Sequence, residues 1–194
     1  MAFAPSSLST GTRTEVERLS VRKNMVARSF AGIGSRQTPP EVLRLMKTVA
    51  HRLTTVYGYT LRSGGANGAD SAFAAGAKVK EIYLPWPGYN GLKQDAGVVL
   101  VKPTLEAYKI AQQFHPVWNR LSPGVQALHA RNVHVLLGRD LSSPVDFVVA
   151  WTPGGEEVGG TGHALRVAKY YNIPVFNLYS KDEALNAIKN FLGV

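Results

Sequence analysis

Apolar residues along the chain fall into two kinds of segment that take turns. Short, largely apolar runs occur at "RSFAGIGS", "YTLRSGG", "EIYLPW", "VDFVVAWT" and "IPVFNL". These are not the strict alternation of a strand with one wet face; they read as strands buried on both sides. Between them the apolar positions adopt helical spacing. Val42, Leu45, Met46, Val49 and Leu53 define one helix in "TPPEVLRLMKTVAHRLTTVYG", with Thr38 as N-cap, Pro39 and Pro40 in its first turn and Gly58 closing it. "ADSAFAAGAKV", "TLEAYKIAQQF", "SPGVQALHARNVHVLLG", "HALRVAKYYN" and "KDEALNAIKNFL" predict five more, with Ser122 capping, Pro123 starting and Gly138 stopping the third of these. "PGYNGLKQDAGVVLVKP" reads as a loop with a short strand over 98–101.

Strands alternating with helices predict an α/β fold: a single doubly wound, mostly parallel sheet of Rossmann-like type with helices on both faces. The expected division is an N-terminal arm over 1–28, partly disordered or a short helix at "TRTEVERLSVRKNM", and a phosphate-binding domain over 29–194. Ligands of such folds bind beyond the C-terminal strand ends, where strand order reverses. Three glycine-rich loops are expected there, at residues 32–35, 64–68 and 154–162. Each leads into a helix, whose first amides lack acceptors and carry partial positive charge. Glycines let an anion approach those amides.

This pattern nominates Gly32, Gly34, Ser35 and Arg36 from the first loop. Arg62, Gly64, Gly65, Asn67, Gly68 and Asp70 come from the second; Gly76 permits close packing of the following helix on the sheet. Gly154, Gly155, Gly159, Gly160, Thr161 and Gly162 come from the third. Arginines suit bidentate phosphate recognition. Trp86 and Tyr89 in "LPWPGYNG" are candidates for a base-stacking platform. "LHARNVH" places Arg131 and Asn132 on a helix with His129 and His134, a polar face to complete the pocket. His163, just after the third loop, is a candidate for phosphate contact or acid–base work. "GIGSRQ" departs from the dinucleotide fingerprint, and no Gly-Lys-Ser/Thr run marks a P-loop. No resident cofactor and no metal are expected.

Composition adds two points. With no cysteine among 194 residues, disulfides, zinc-thiolate sites and thiol nucleophiles are excluded. The 22 Lys and Arg against 13 Asp and Glu give a net charge of +9, a balance that favours polyanionic partners such as nucleotides or nucleic acid. Up to residue 30 the chain carries +3, so +6 remains on the body. No apolar run is long enough for a membrane span, and no secretory signal is apparent, so a cytoplasmic protein without a membrane partner is expected.

"SGGANGAD" at 63–70 resembles the phosphate-loop motif of the Rossmann-like superfamily that joins the DNA-processing protein A family to the Lonely Guy cytokinin-activating enzymes. "AGIGSR" at 31–36 and "PGG…GGTGHAL" at 153–165 are similar to its other two glycine segments. The pattern Ser63, Gly64, Ala66, Gly68, Asp70 is closest to the DNA-processing branch, and the chain looks like small stand-alone members often encoded by bacteriophages. The resemblance implies a bound nucleotide, nucleotide-derived ligand or nucleic-acid phosphate, single-stranded DNA among them, and a homo-oligomer. It also implies an alternative, nucleotide N-glycosidase or deoxyribosyltransferase activity. That chemistry uses a glutamate which the motif would place at Ala164, leaving Glu156 or Glu157 as substitutes. A third expectation is a viral protein that sequesters a nucleotide immune signal without cleaving it.

Overall fold

The computed structural model describes residues 28–93, 97–100 and 102–194. The expected arm, with its helix, lies outside the described residues apart from its last residue, Arg28. Strands β1 (Ser29–Gly34), β2 (Thr60–Ser63), β3 (Lys80–Tyr83), β4 (Val98–Leu100), β5 (Phe147–Trp151) and β6 (Val175–Asn177) form one sheet. Its order is β4-β3-β2-β1-β5-β6, and every neighbouring pair is parallel. The helices are α1 (Pro40–Thr55), α2 (Ala69–Gly76), α3 (Leu105–Gln113), α4 (Pro123–Leu137), α5 (Gly159–Tyr170) and α6 (Lys181–Leu192). This is the doubly wound α/β fold expected from the pattern of runs.

Side chains of the central strands β1 and β5 alternate between two cores, one on either face of the sheet. Phe30, Phe147 and Val149 face Met46 and Leu53 of α1, Phe73 of α2 and Ile188 of α6. Ala31, Ile33, Val148 and Ala150 face Ala107 and Ala111 of α3, Val133 and Leu137 of α4 and Leu165 of α5. Burial on both faces explains why these strands read as continuous apolar runs.

Some boundaries differ from the sequence reading, for physical reasons. Thr38 does not cap α1. Its hydroxyl donates to the Ser35 carbonyl (2.7 Å), Pro39 is the N-cap residue, and Pro40 opens the helix. Gly32 and Gly34 lie inside β1 rather than in a loop. A Cβ on Gly32 would stand 2.6 Å from Phe73, and one on Gly34 2.6 Å from the Ala69 methyl, so both let α2 sit close to the strand. Gly76 packs α2 against the α1 backbone at Lys47, not against the sheet. The third glycine segment is not all loop either. Pro153–Gly155 makes one 3-10 turn, and α5 begins at Gly159, four residues before the expected His163.

Candidate functional site

The chain steps from β1 toward β4 on one side of the sheet and from β5 to β6 on the other. Strand order therefore reverses between β1 and β5, and a cleft of about 470 Å³ opens beyond their C-terminal ends. Ser35, Arg36 and Gln37 follow β1 on one wall; Thr152 and Pro153 follow β5. The first turn of α5 (Gly159, Gly160, Thr161) forms one end, and α4 closes the side with Val125, Leu128, His129, Arg131 and Asn132. Ala66 and Asp70, from the loop after β2 and the start of α2, line the floor.

Gly162, which donates to Val158 (2.9 Å), is the first amide of α5 with a helical acceptor. The amides of Gly159, Gly160 and Thr161 precede it, and helix geometry leaves them without one. Gly159 and Gly160 line the cleft, and a Cβ on either would meet no atom within 4 Å. Asn132 tethers this turn by donating from Nδ2 to the Gly160 carbonyl (3.3 Å). Across the cleft, the Ser35 amide donates to Trp151 O (3.2 Å) and Ser35 Oγ accepts from the Gln37 amide (3.0 Å). Arg36 is exposed, and its Nη2 donates to the Tyr89 hydroxyl (3.3 Å).

The loop after β2 is built differently. The Arg131 guanidinium enters it from α4, buried, donating from Nη1 to the Gly64 carbonyl. Nη1 also lies 3.7 Å from Asp70 Oδ2, which accepts from the Ala66 amide (3.2 Å). The guanidinium carbon lies 5.9 Å from the centre of the Tyr89 ring, a cation–π contact. Among the described residues, Arg131 Nε has no partner. Burial pushes the Asp70 carboxyl up and the Arg131 guanidinium down, while their mutual attraction favours both charged forms. A Cβ at Gly64 would fall on the Arg131 guanidinium. Gly68 adopts φ +83°, and a Cβ there would stand 2.9 Å from the Arg36 backbone. The glycines of this loop thus admit Arg131 and the neighbouring loop, where the sequence reading had them admit an anion.

Ser35, Arg36, Asp70, Arg131, Asn132, Gly34, Gly159, Gly160 and Thr161 meet at the cleft. Others stand apart. Arg62 pairs with Glu81 (2.8 Å), its register partner on β3, and donates to the Ser143 carbonyl, away from the cleft. Gly65, Asn67 and Gly68 do not line the cleft; the Gly65 carbonyl accepts from Asn90 Nδ2 (2.9 Å). Tyr89 is buried behind Arg36 and Arg131, and Trp86, 39% exposed, packs edge-on against it at 5.0 Å. Gly154 and Gly155 form an exposed turn, with Glu156 and Glu157 exposed after it; none lines the cleft. Gly162 is buried against the Glu157 backbone, and Ala164 is in the core.

His163 is fully buried, with Nε2 2.8 Å from the Ala111 carbonyl oxygen. His134 is structural: its ring stacks on Tyr83 and bridges Gly138 O and the Thr104 amide. The apolar walls Val125, Leu128 and Val158 were not singled out from sequence. Their signal is weak: Val125 and Leu128 read equally well as core positions of α4, and Val158 is a lone apolar residue in a glycine-rich segment. Among the described residues, no group of His, Asp and Glu is arranged to hold a metal ion, and no helix is long and apolar enough to cross a membrane.

No protein-family model matches the chain. No curated protein matches it either. Among solved structures, the chain is similar in fold to DNA processing protein A from Helicobacter pylori, described for a unique single-stranded DNA binding mode. The TM-score is 0.54 at 17% identity, over 87% of this chain and 81% of that one.

Proposed function

We propose that the cleft between β1 and β5 binds the phosphate of a nucleotide or nucleic acid, with single-stranded DNA the first ligand to test. One observation carries this reading. Gly159, Gly160 and Thr161, whose amides have no helical acceptor among the described residues, line a cleft that also holds Arg36. The ligand's phosphate would accept from these amides and from Arg36, while Val125, Leu128 and Val158 offer apolar wall to a sugar or base. The net charge of +9 and the single-stranded DNA bound by the Helicobacter pylori protein of similar fold support the choice of ligand.

Binding is favoured over base cleavage by the carboxylates. Glu156 and Glu157 lie outside the cleft lining, Ala164 is buried, and Asp70 is engaged by Arg131. The test is fluorescence anisotropy with a labelled oligothymidylate across a salt series. Binding should weaken steeply with salt, and Arg36→Ala should weaken it by about tenfold at fixed salt. Absence of binding at low ionic strength to both the oligonucleotide and a panel of mononucleotides would refute the reading.

A further inference from the structure

Behind the α5 end of the cleft lies a cluster of three imidazoles. His129 of α4, which lines the cleft, lies 4.3 Å from His163 of α5, ring centre to ring centre. His115, in the connection from α3 to α4, lies 4.9 Å from His129 and 5.8 Å from His163. The Trp118 ring stands 6.3 Å from both His129 and His115. His129 is 5% exposed and His163 is fully buried. Among the described residues, neither ring's Nδ1 has a partner.

Hydrogen bonds set the protonation that these rings adopt. His163 Nε2 faces the Ala111 carbonyl and so carries that ring's proton, leaving Nδ1 as a bare lone pair. His115 Nδ1 accepts from the Val117 amide (3.4 Å), so its proton is on Nε2. The titratable groups facing His129 are His163 and Arg166 from α5, His115 from the α3–α4 connection, and Arg131 from α4 itself. None of these is an acid. Asp70, the carboxylate lining the cleft, is taken by Arg131. Among the described residues the cluster therefore has vacant proton sites and no counter-charge of its own.

We propose that the His129–His163 pair takes up a proton when an anionic ligand occupies the cleft, so that phosphate binding strengthens as pH falls. This rests on the phosphate reading of the cleft. The ligand supplies the negative charge the cluster lacks: a phosphate on the Gly159–Gly160 amides would lie at the N-terminus of the helix that carries His163. Burial among cations pushes His129 down to about 3 and His163 down to about 4 in the empty protein. Protonation in the ordinary pH range then requires the bound anion, which couples the two events. Arg166 holds the arrangement by donating to the Phe114 and Glu157 carbonyls.

The experiment uses a labelled oligothymidylate, whose phosphodiesters keep constant charge between pH 5.5 and 7.5, at fixed ionic strength. Affinity of the wild-type chain should rise at least about threefold from pH 7.5 to pH 5.5, against a limit of about tenfold per pH unit for one proton. His129→Gln should flatten that rise, read as the ratio of the variant's own affinities at the two pH values. Calorimetric titration of the wild type at pH 6 in two buffers of different ionisation enthalpy reads the proton uptake directly and needs no variant to fold. Fractional net uptake that disappears in His129→Gln supports the proposal. Binding with no uptake, or with uptake unchanged in His129→Gln, overturns it and leaves the phosphate reading standing. No binding at any pH overturns both.

Discussion

A methyl group added at Gly64 would land on the Arg131 guanidinium, whereas one added at Gly160, in the cleft lining, would meet no atom within 4 Å. The two substitutions therefore separate packing from ligand contact. Gly64→Ala should destabilise the chain by about 1–3 kcal/mol in urea unfolding, because a buried ion pair must be displaced. Gly160→Ala should leave stability unchanged or raise it by about 0.5–1 kcal/mol, since its backbone is helical, yet it should weaken oligonucleotide binding. Arg131→Met leaves Asp70 buried without its partner and should cost about 3–5 kcal/mol in the same assay. Sequence identified Arg131 and Asp70 as site residues but not their attachment to each other. Nothing in the spacing of two residues sixty-one apart shows that one plugs the loop of the other. Arg62 was legible only in part. Its alternation along β2 turns it away from the cleft, and Glu81 at the start of "EIYLPW" is its cross-strand partner.

At the scale of elements, α5 and α4 hold the cleft between them. Their shared histidines also make a stability prediction. His129 and His163 have folded pKa values of about 3 and about 4, below the ordinary value of 6.5. The neutral rings are compatible with the fold, and the stability they allow is fully present above pH 6.5. Below it the unfolded chain takes up protons that the folded chain resists, so stability declines as pH falls from about 6.5 toward 4. Melting temperature measured without ligand should drop between pH 7 and pH 5, and His129→Gln should reduce that drop. The elements themselves were largely legible from apolar spacing, and α6 matches its expected span from Lys181 to Leu192. The start of α5 was not legible. Gly159, Gly160 and Gly162 read as loop because glycine weakens a helix, but here the helix is held by packing of Ala164, Leu165 and Val167 in the core.

For the molecule as a whole, two cores on opposite faces fix the sheet, and the reversal of strand order between β1 and β5 fixes where a cleft can open. The sequence motifs named three phosphate cradles of equal standing. Folded, they are unequal: the first gives its glycines to helix packing, the second is filled by Arg131, and the third presents free amides. The central claim is that phosphate binds at the third, opposite Arg36. Chemical-shift mapping of backbone amides during titration with a 5′-phosphorylated oligothymidylate tests it most directly. The account predicts the largest shifts at Gly159, Gly160 and Thr161, with Ser35 and Arg36 following. Shifts centred on Gly64, Gly65 and Gly68 with α5 unmoved, or no shifts at saturating ligand, would contradict it.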